Sequence, residues 1–248
     1  MREGWRLAVG TLTALPVRPT LAVTPVSARD AVLLAPVAVL PLGGLVAATC
    51  LLGDALGLPP LLTAFVAIGA LATGSRALHW DGLSDVADAL TASYDAERSL
   101  AVMKSGTSGP AGVVATVVVL GVQVSALSAL VGSARGALGA GLLVCLARCA
   151  LTSCCARGVP GARTDGLGAA YVETVPPLAV VLSWSTAAVL AAVAVGWQGP
   201  VAVLLAVVVV AALVRRAEQR FGGVTGDVFG AAIEAALATL LAGVLVLP

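Results

Sequence analysis

The chain alternates between long apolar stretches and more polar connections of unequal length. A transmembrane helix needs roughly 20 mainly apolar residues to cross about 30 Å of hydrocarbon. Stretches that approach this length lie at about 31–53, 61–78, 110–131, 137–156, 177–197, 200–215 and 228–247. They predict an all-α, polytopic membrane helix bundle of about seven transmembrane helices. No linker interrupts them, so residues 1–248 read as one integral membrane domain. The sixth stretch, bounded by Pro200 and Arg215, is short enough to read either as a crossing or as an interfacial segment. Gly4 to Leu15 is apolar but too short to span, and predicts an interfacial or re-entrant helix.

Composition supports lipid as the solvent: 59% of residues are hydrophobic and 11% charged, far from an ordinary soluble domain. Residues 1–26 hold Arg2, Glu3, Arg6 and Arg18 instead of a compact apolar run with a cleavage site, so the first span is expected to direct insertion. A net charge of +1 and the lack of a basic stripe interleaved with aromatics point away from nucleic acid. Cys50, Cys145, Cys149, Cys154 and Cys155 lie in apolar stretches and His79 is the only histidine. A Cys/His zinc site therefore lacks partners, and the thiols read as small core residues. Lys104 is the only lysine and asparagine is absent, a bias of GC-rich bacterial genomes.

Basic residues set the orientation, because they are retained on the cytoplasmic side. With the N-terminus inside, Arg2, Arg6, Arg18, Arg29, Arg98, Lys104, Arg157, Arg163, Arg215, Arg216 and Arg220 all fall inside, against Arg135 alone outside. Trp80 and Trp197 then sit at span ends, as interfacial anchors do. The outer loops are minimal and the inner ones long, so function is expected to face the cytoplasm.

Two segments carry the chemistry. The second span runs into His79-Trp80-Asp81-Gly82-Leu83-Ser84-Asp85-Val86-Ala87-Asp88. If helical, this puts Asp81, Asp85 and Asp88 on one face within two turns. Their repulsion is relieved by a cation, and hard oxygen ligands suit Mg²⁺ or Mn²⁺. A solvated acidic helix end is the plainer alternative. The second segment, Arg220 to Glu234, contains Gly222, Gly223, Thr225, Gly226 and Asp227. Its glycines free backbone amides for phosphate oxygens at a helix start, Asp227 offers a further ligand, and a plain helix-start turn is the alternative. Glu234 lies about 10 Å inside its span at 1.5 Å per residue, at a depth similar to Arg148. Buried charges find partners, so an ion pair between them is expected; binding of a substrate phosphate is the rival role for Arg148. The inner loop with Lys104, and the one with Arg157, Arg163 and Asp165-Gly166-Leu167-Gly168, each join glycines to cations, a combination suited to phosphate.

Together these segments resemble the cobalamin synthase family of adenosylcobinamide-GDP ribazoletransferases. The first matches a family pattern H-x-D-G-L-x-D-x-x-D, and the second G-G-x-T-G-D-x-x-G-A-x-x-E through Gly222, Gly223, Thr225, Gly226, Asp227, Gly230, Ala231 and Glu234. A T-x-L-P turn at Thr13 to Pro16 and a G-L-G at Gly166 to Gly168 extend the likeness over nearly the whole chain. There are departures: Thr11 and Ala14 stand where the family has an aromatic residue and an arginine, and no acid lies between Met103 and Gly112. The resemblance implies transfer of α-ribazole, or its 5′-phosphate, onto adenosylcobinamide-GDP with release of GMP. With that chemistry, Asp81, Asp85, Asp88 and Asp227 are the candidate Mg²⁺ ligands and Asp81 and Asp85 the candidate catalytic acids; His79 is a candidate catalytic base or phosphate donor, with a helix-end histidine of no catalytic role as the alternative. Lys104, Arg148, Gly222, Gly223, Thr225 and Gly226 would bind phosphate. Membrane lipid is the expected surrounding, at a bacterial inner membrane, and a homo-oligomer is compatible. A CDP-alcohol phosphotransferase fits less well, since its D-x-x-D-G-x-x-A-R spacing is not met. A cation or solute transporter would place polar residues nearer the bilayer midplane.

Overall fold

The computed structural model describes every residue except Pro19, Leu21, Leu167, Leu247 and Pro248. The described residues form a succession of helices: α1 (Arg2–Leu12), α2 (Pro25–Ala38), α3 (Leu40–Ala55), α4 (Pro60–Gly74), α5 (Leu78–Ala92) and α6 (Ala96–Met103). They continue with α7 (Pro110–Leu130), α8 (Ala134–Leu146), a 3-10 turn (Ala147–Cys149), α9 (Ala150–Cys154), α10 (Pro177–Val195), α11 (Gln198–Phe221) and α12 (Gly226–Gly243). Proline opens α2, α4, α7 and α10, where its missing N–H and fixed φ cost nothing.

Among the described residues six segments are long and apolar enough to cross a membrane: Pro25–Ala55, Pro110–Leu130, Ala134–Cys154, Pro177–Val195, Gln198–Phe221 and Gly226–Gly243. The protein is therefore a multi-pass membrane protein. Val113, Val114, Val117 and Val118 on α7 and Leu178, Val181, Val189 and Val193 on α10 form apolar faces that the bundle itself leaves exposed. The expected short sixth span is instead a 24-residue helix. Arg215, Arg216, Glu218, Gln219 and Arg220 are all good helix formers and carry it onward. It stops at Gly222, whose φ of 79° caps it while its N–H donates to the Glu218 carbonyl at 3.1 Å.

The expected straight passage from the second span into the aspartate segment is also corrected. α4 and α5 meet at a bend of 92° and count as a seventh span only if taken as one broken crossing. The break uses two non-glycine residues in the left-handed region, Arg76 (φ 58°) and Ala77 (φ 53°). Arg76 Nη2 donates to the Gly10 carbonyl at 2.6 Å, and Ala14 N–H to the Gly74 carbonyl at 2.7 Å. The end of α1 thus holds the bend in place.

α12 is the axis of the bundle, buried along most of its length and packed by α5, α7 and α11. α1 lies on α2, which fits the expected short N-terminal helix. The connection from α9 to α10 is clamped by backbone bonds: Arg157 N–H to the Val175 carbonyl at 2.8 Å, and Ala162 N–H to the Val224 carbonyl at 2.9 Å. This clamp sets the α9–α10 loop against the turn between α11 and α12.

Left-handed geometry costs an ordinary residue about 1–2 kcal/mol and a β-branched one more. Ala77→Gly is therefore expected to raise the thermal midpoint of the solubilised protein and Ala77→Val to lower it, as measured by thermal unfolding in detergent.

Candidate active site

The carboxylate cluster is assembled by two glycines. α5 crosses α12 so closely that a Cβ at Gly82 would come 2.6 Å from the Asp227 carbonyl oxygen, and one at Gly230 would come 3.0 Å from His79 Cα. Each helix therefore offers a bare backbone to the other's functional residue. Asp227 lies in the first turn of α12, where the helix dipole favours an anion. The N-cap Thr225 accepts the Val228 N–H at 3.3 Å and donates its hydroxyl to Asp227 Oδ2 at 3.2 Å. Asp81 is exposed and Asp85 half-buried. The charges of Asp81, Asp227 and Asp88 all bear on Asp85, and Arg163 offsets them there and at Asp227.

Asp88 is also engaged by α7. Its oxygens accept the Gly109 N–H at 2.6 Å and the Gly112 N–H at 2.8 Å, so it caps the start of α7 from a neighbouring helix. Both oxygens are thus engaged by amides, whereas the sequence suggested a metal ligand. Among the described residues no three Asp, Glu, His or Cys side chains converge tightly enough to hold an ion by themselves.

Below the carboxylates lies a buried polar chain. Gln123 Nε2 on α7 donates to Glu234 Oε2 at 2.8 Å, and Glu234 Oε1 faces His79 Nδ1 at 3.6 Å. His79 is 3% exposed and neither ring nitrogen has a hydrogen-bond partner. The expected Glu234–Arg148 ion pair does not form: Arg148 Nη1 donates to the Val144 carbonyl at 2.7 Å instead. Matched depth fixes height along a bundle but not the direction in which a side chain points, and Gln123 and His79 already flank Glu234. Arg148 is 1% exposed and lines none of the cavity described below.

The expected phosphate-binding residues divide. Thr225 and Gly226 border the cavity. Gly222 terminates α11, and Gly223 lies flat against Pro160 and Ala162. Lys104 Nζ pairs with Asp165 Oδ2 at 2.8 Å, tying the α6–α7 loop to the α9–α10 loop. Its hydrogen bond and charge hold the exposed Asp165 carboxyl below its ordinary value. Gly166 and Gly168 of the G-L-G line the cavity, while Leu167 lies outside the described residues.

The cavity, of about 220 Å³, opens beside Asp227. Arg163 and Asp227, both half-buried, mark its mouth; the buried His79 and Thr225 also line it, together with Thr11, Tyr171 and an apolar set formed by Ala8 of α1, Ala31 and Val32 of α2, and Phe229 and Ile233 of α12. Arg163 also donates to the Leu100 carbonyl, which steadies it at the mouth. Sequence reasoning noted Arg163 only as a loop cation and gave α1 no part in a site. The apolar run Leu7 to Leu12 was the signal available for α1.

Such a concentration of titratable groups around one cavity in a membrane helix bundle marks a candidate enzyme site. The family described as cobalamin-5-phosphate synthase matches residues 4–245. The chain belongs to that family and is accordingly a transferase of cobalamin synthesis. It is 59% identical over 244 residues to an adenosylcobinamide-GDP ribazoletransferase of a Nocardioides species, covering 98% of each chain. It is 40% identical to the protein of that name from Pseudomonas paraeruginosa, over 94% of this chain and 95% of the relative. The Frankia casuarinae protein of that name is 38% identical over 76% of this chain and 73% of its own. No solved structure matches the chain.

Losing a buried carboxylate that serves two amides costs about 2 kcal/mol or more. Asp88→Ala is expected to lower stability by that amount with or without Mg²⁺. Asp81→Ala, at an exposed position, should shift it by less than about 0.5 kcal/mol. Denaturant or thermal unfolding of the two variants side by side checks the difference.

Proposed function

We propose that the protein transfers α-ribazole, or its 5′-phosphate, onto adenosylcobinamide-GDP, forming adenosylcobalamin or its 5′-phosphate and releasing GMP. The observation that carries this reading is the meeting of the aspartate end of α5 with Asp227 at the mouth of a cavity. The names of the relatives supply the substrates.

Asp81, Asp85 and Asp227 are hard oxygen donors with Arg163 as the nearby cation. They suit Mg²⁺, which is commonly bound by one or two carboxylates together with waters and substrate phosphates, without a full protein cage. That preference agrees with the failure of three protein ligands to converge. A bound Mg²⁺ would neutralise charge on the non-bridging and leaving oxygens of the pyrophosphate.

The chain's own residues do the rest. Because a 5′-phosphate survives in the phosphorylated product, the attacking oxygen is another ribose hydroxyl. It bonds to the phosphorus on the corrinoid side, the bond to the GMP oxygen breaks, and GMP leaves with the electron pair. His79, with Nδ1 turned to Glu234, has Nε2 free to take the hydroxyl proton. Arg163, Thr225 and the Gly226 backbone hold phosphate oxygens, and Lys104 joins them when it leaves Asp165. The prevalence of basic residues in the loops on the aspartate side argues for a cytoplasmic N-terminus and a site facing the cytoplasm of a bacterial inner membrane.

The test is incubation of purified protein with adenosylcobinamide-GDP, α-ribazole and Mg²⁺, followed by quantification of GMP. Wild-type protein should release GMP, while Asp81→Ala still inserts in the membrane and loses about 10²-fold or more in kcat. No GMP from the wild type, or undiminished turnover by the variant, overturns the proposal.

A further inference from the structure

We propose that the cavity between α1, α2 and α12 is the seat of the incoming nucleoside's base, and that Ala8 and Ala31 set the size of base accepted. The inference rests on the transfer reaction proposed above and adds which substrate lies where. The corrinoid-GDP substrate then meets the carboxylates from outside the cavity, over exposed Asp81.

Three observations carry this assignment. The first is volume: about 220 Å³ is far too small for a corrin ring but suits a flat heterocycle. The second is the contrast between floor and mouth. Ala8, Ala31, Val32, Phe229 and Ile233 offer no charge and no side-chain hydrogen bond, whereas the mouth carries Arg163, Thr225 and Asp227. Thr11 and Tyr171 also line the cavity, but two hydroxyls would leave most of a guanine ring's donors and acceptors unmatched. A largely hydrocarbon aromatic base would not, and its sugar would emerge at the polar mouth beside the carboxylates. The third is His79, which borders the cavity at 3% exposure with both ring nitrogens lacking hydrogen bonds. A buried polar group without a partner is costly, and a nucleoside hydroxyl emerging there would supply one. A lipid acyl chain would fill the floor equally well but leave that ring unsatisfied.

Small side chains make the room. Ala8 and Ala31 are 2% and 3% exposed and pack in one cluster where α1 lies on α2. A larger side chain at either position would project into the space the base needs. Leu7 borders the same cavity from a half-buried position, so truncation there widens the cavity with little cost to packing.

The experiment is equilibrium dialysis of α-ribazole against the full-length protein in detergent, without metal or corrinoid, together with steady-state KM values for both substrates. Ala31→Leu is expected to raise the Kd for α-ribazole about tenfold or more, as filling a pocket by a few methylenes does. The KM for adenosylcobinamide-GDP should stay within about twofold, which also reports that the variant is folded. Leu7→Ala should shift preference toward nucleosides with bulkier apolar bases. In the wild type, the free base without its sugar should compete with α-ribazole, a result that depends on no variant. An unchanged Kd in Ala31→Leu overturns the inference, as does a KM for adenosylcobinamide-GDP that rises in step. A co-purifying acyl chain that α-ribazole fails to displace also overturns it. Wild-type protein that binds α-ribazole competitively with the free base yet yields no GMP supports the cavity assignment and refutes the reaction. GMP release with no competition by the free base does the reverse.

Discussion

The architecture depends on the close crossing of α5 and α12. Gly82 gives its place to the backbone at Asp227, and Gly230 gives its place to the backbone at His79. In lipid, helices gain no hydrophobic advantage from meeting one another, so near approach through small residues is what holds such a pair together. The same approach fixes the chemistry. Without it, Asp81 and Asp85 would stand alone on one helix, and Asp227 would be an isolated acid at the start of another. Asp227 would still line the cavity, but without the α5 carboxylates beside it.

A second layer of buried polar contacts keeps this crossing in register. Glu234, one turn deeper than Gly230, is held by Gln123 from α7 and faces His79 from α5. Three helices thus converge on one carboxylate in the interior, where rotating or sliding any of them would strand a charge. Above it, the α9–α10 loop is fastened to Val224 by backbone bonds and to Lys104 by an ion pair. These bring Arg163 and the two cavity glycines into place.

Much of this was legible in the amino-acid order. The apolar stretches revealed the membrane helices because twenty apolar residues in succession have few other uses. The Asp81-to-Asp88 and Gly222-to-Glu234 segments drew notice because acids and glycines are conspicuous in such a chain. What escaped was geometry that no spacing encodes. The bend at Arg76 and Ala77 sits on two residues with no intrinsic taste for left-handed backbone, imposed by the docking of α1. Asp88 shares a helical face with Asp81 and Asp85, and only the approach of α7 shows that it serves amides. Arg148 and Glu234 matched in depth but not in direction. One of the departures from the family pattern, the lack of an acid between Met103 and Gly112, falls in the loop whose end Asp88 holds.

That reach bears on the order in which the protein is built. α7 has no side-chain cap of its own at Gly109, and its first free amides are closed by a residue from α5. A nascent α7 therefore leaves the ribosome with an open end, and its boundary is settled only once α5 has come alongside. The loop bearing Lys104 lies between them, so it acquires its final course at that same moment. Assembly of the bundle and completion of the loop bearing Lys104 are then a single event instead of two successive ones.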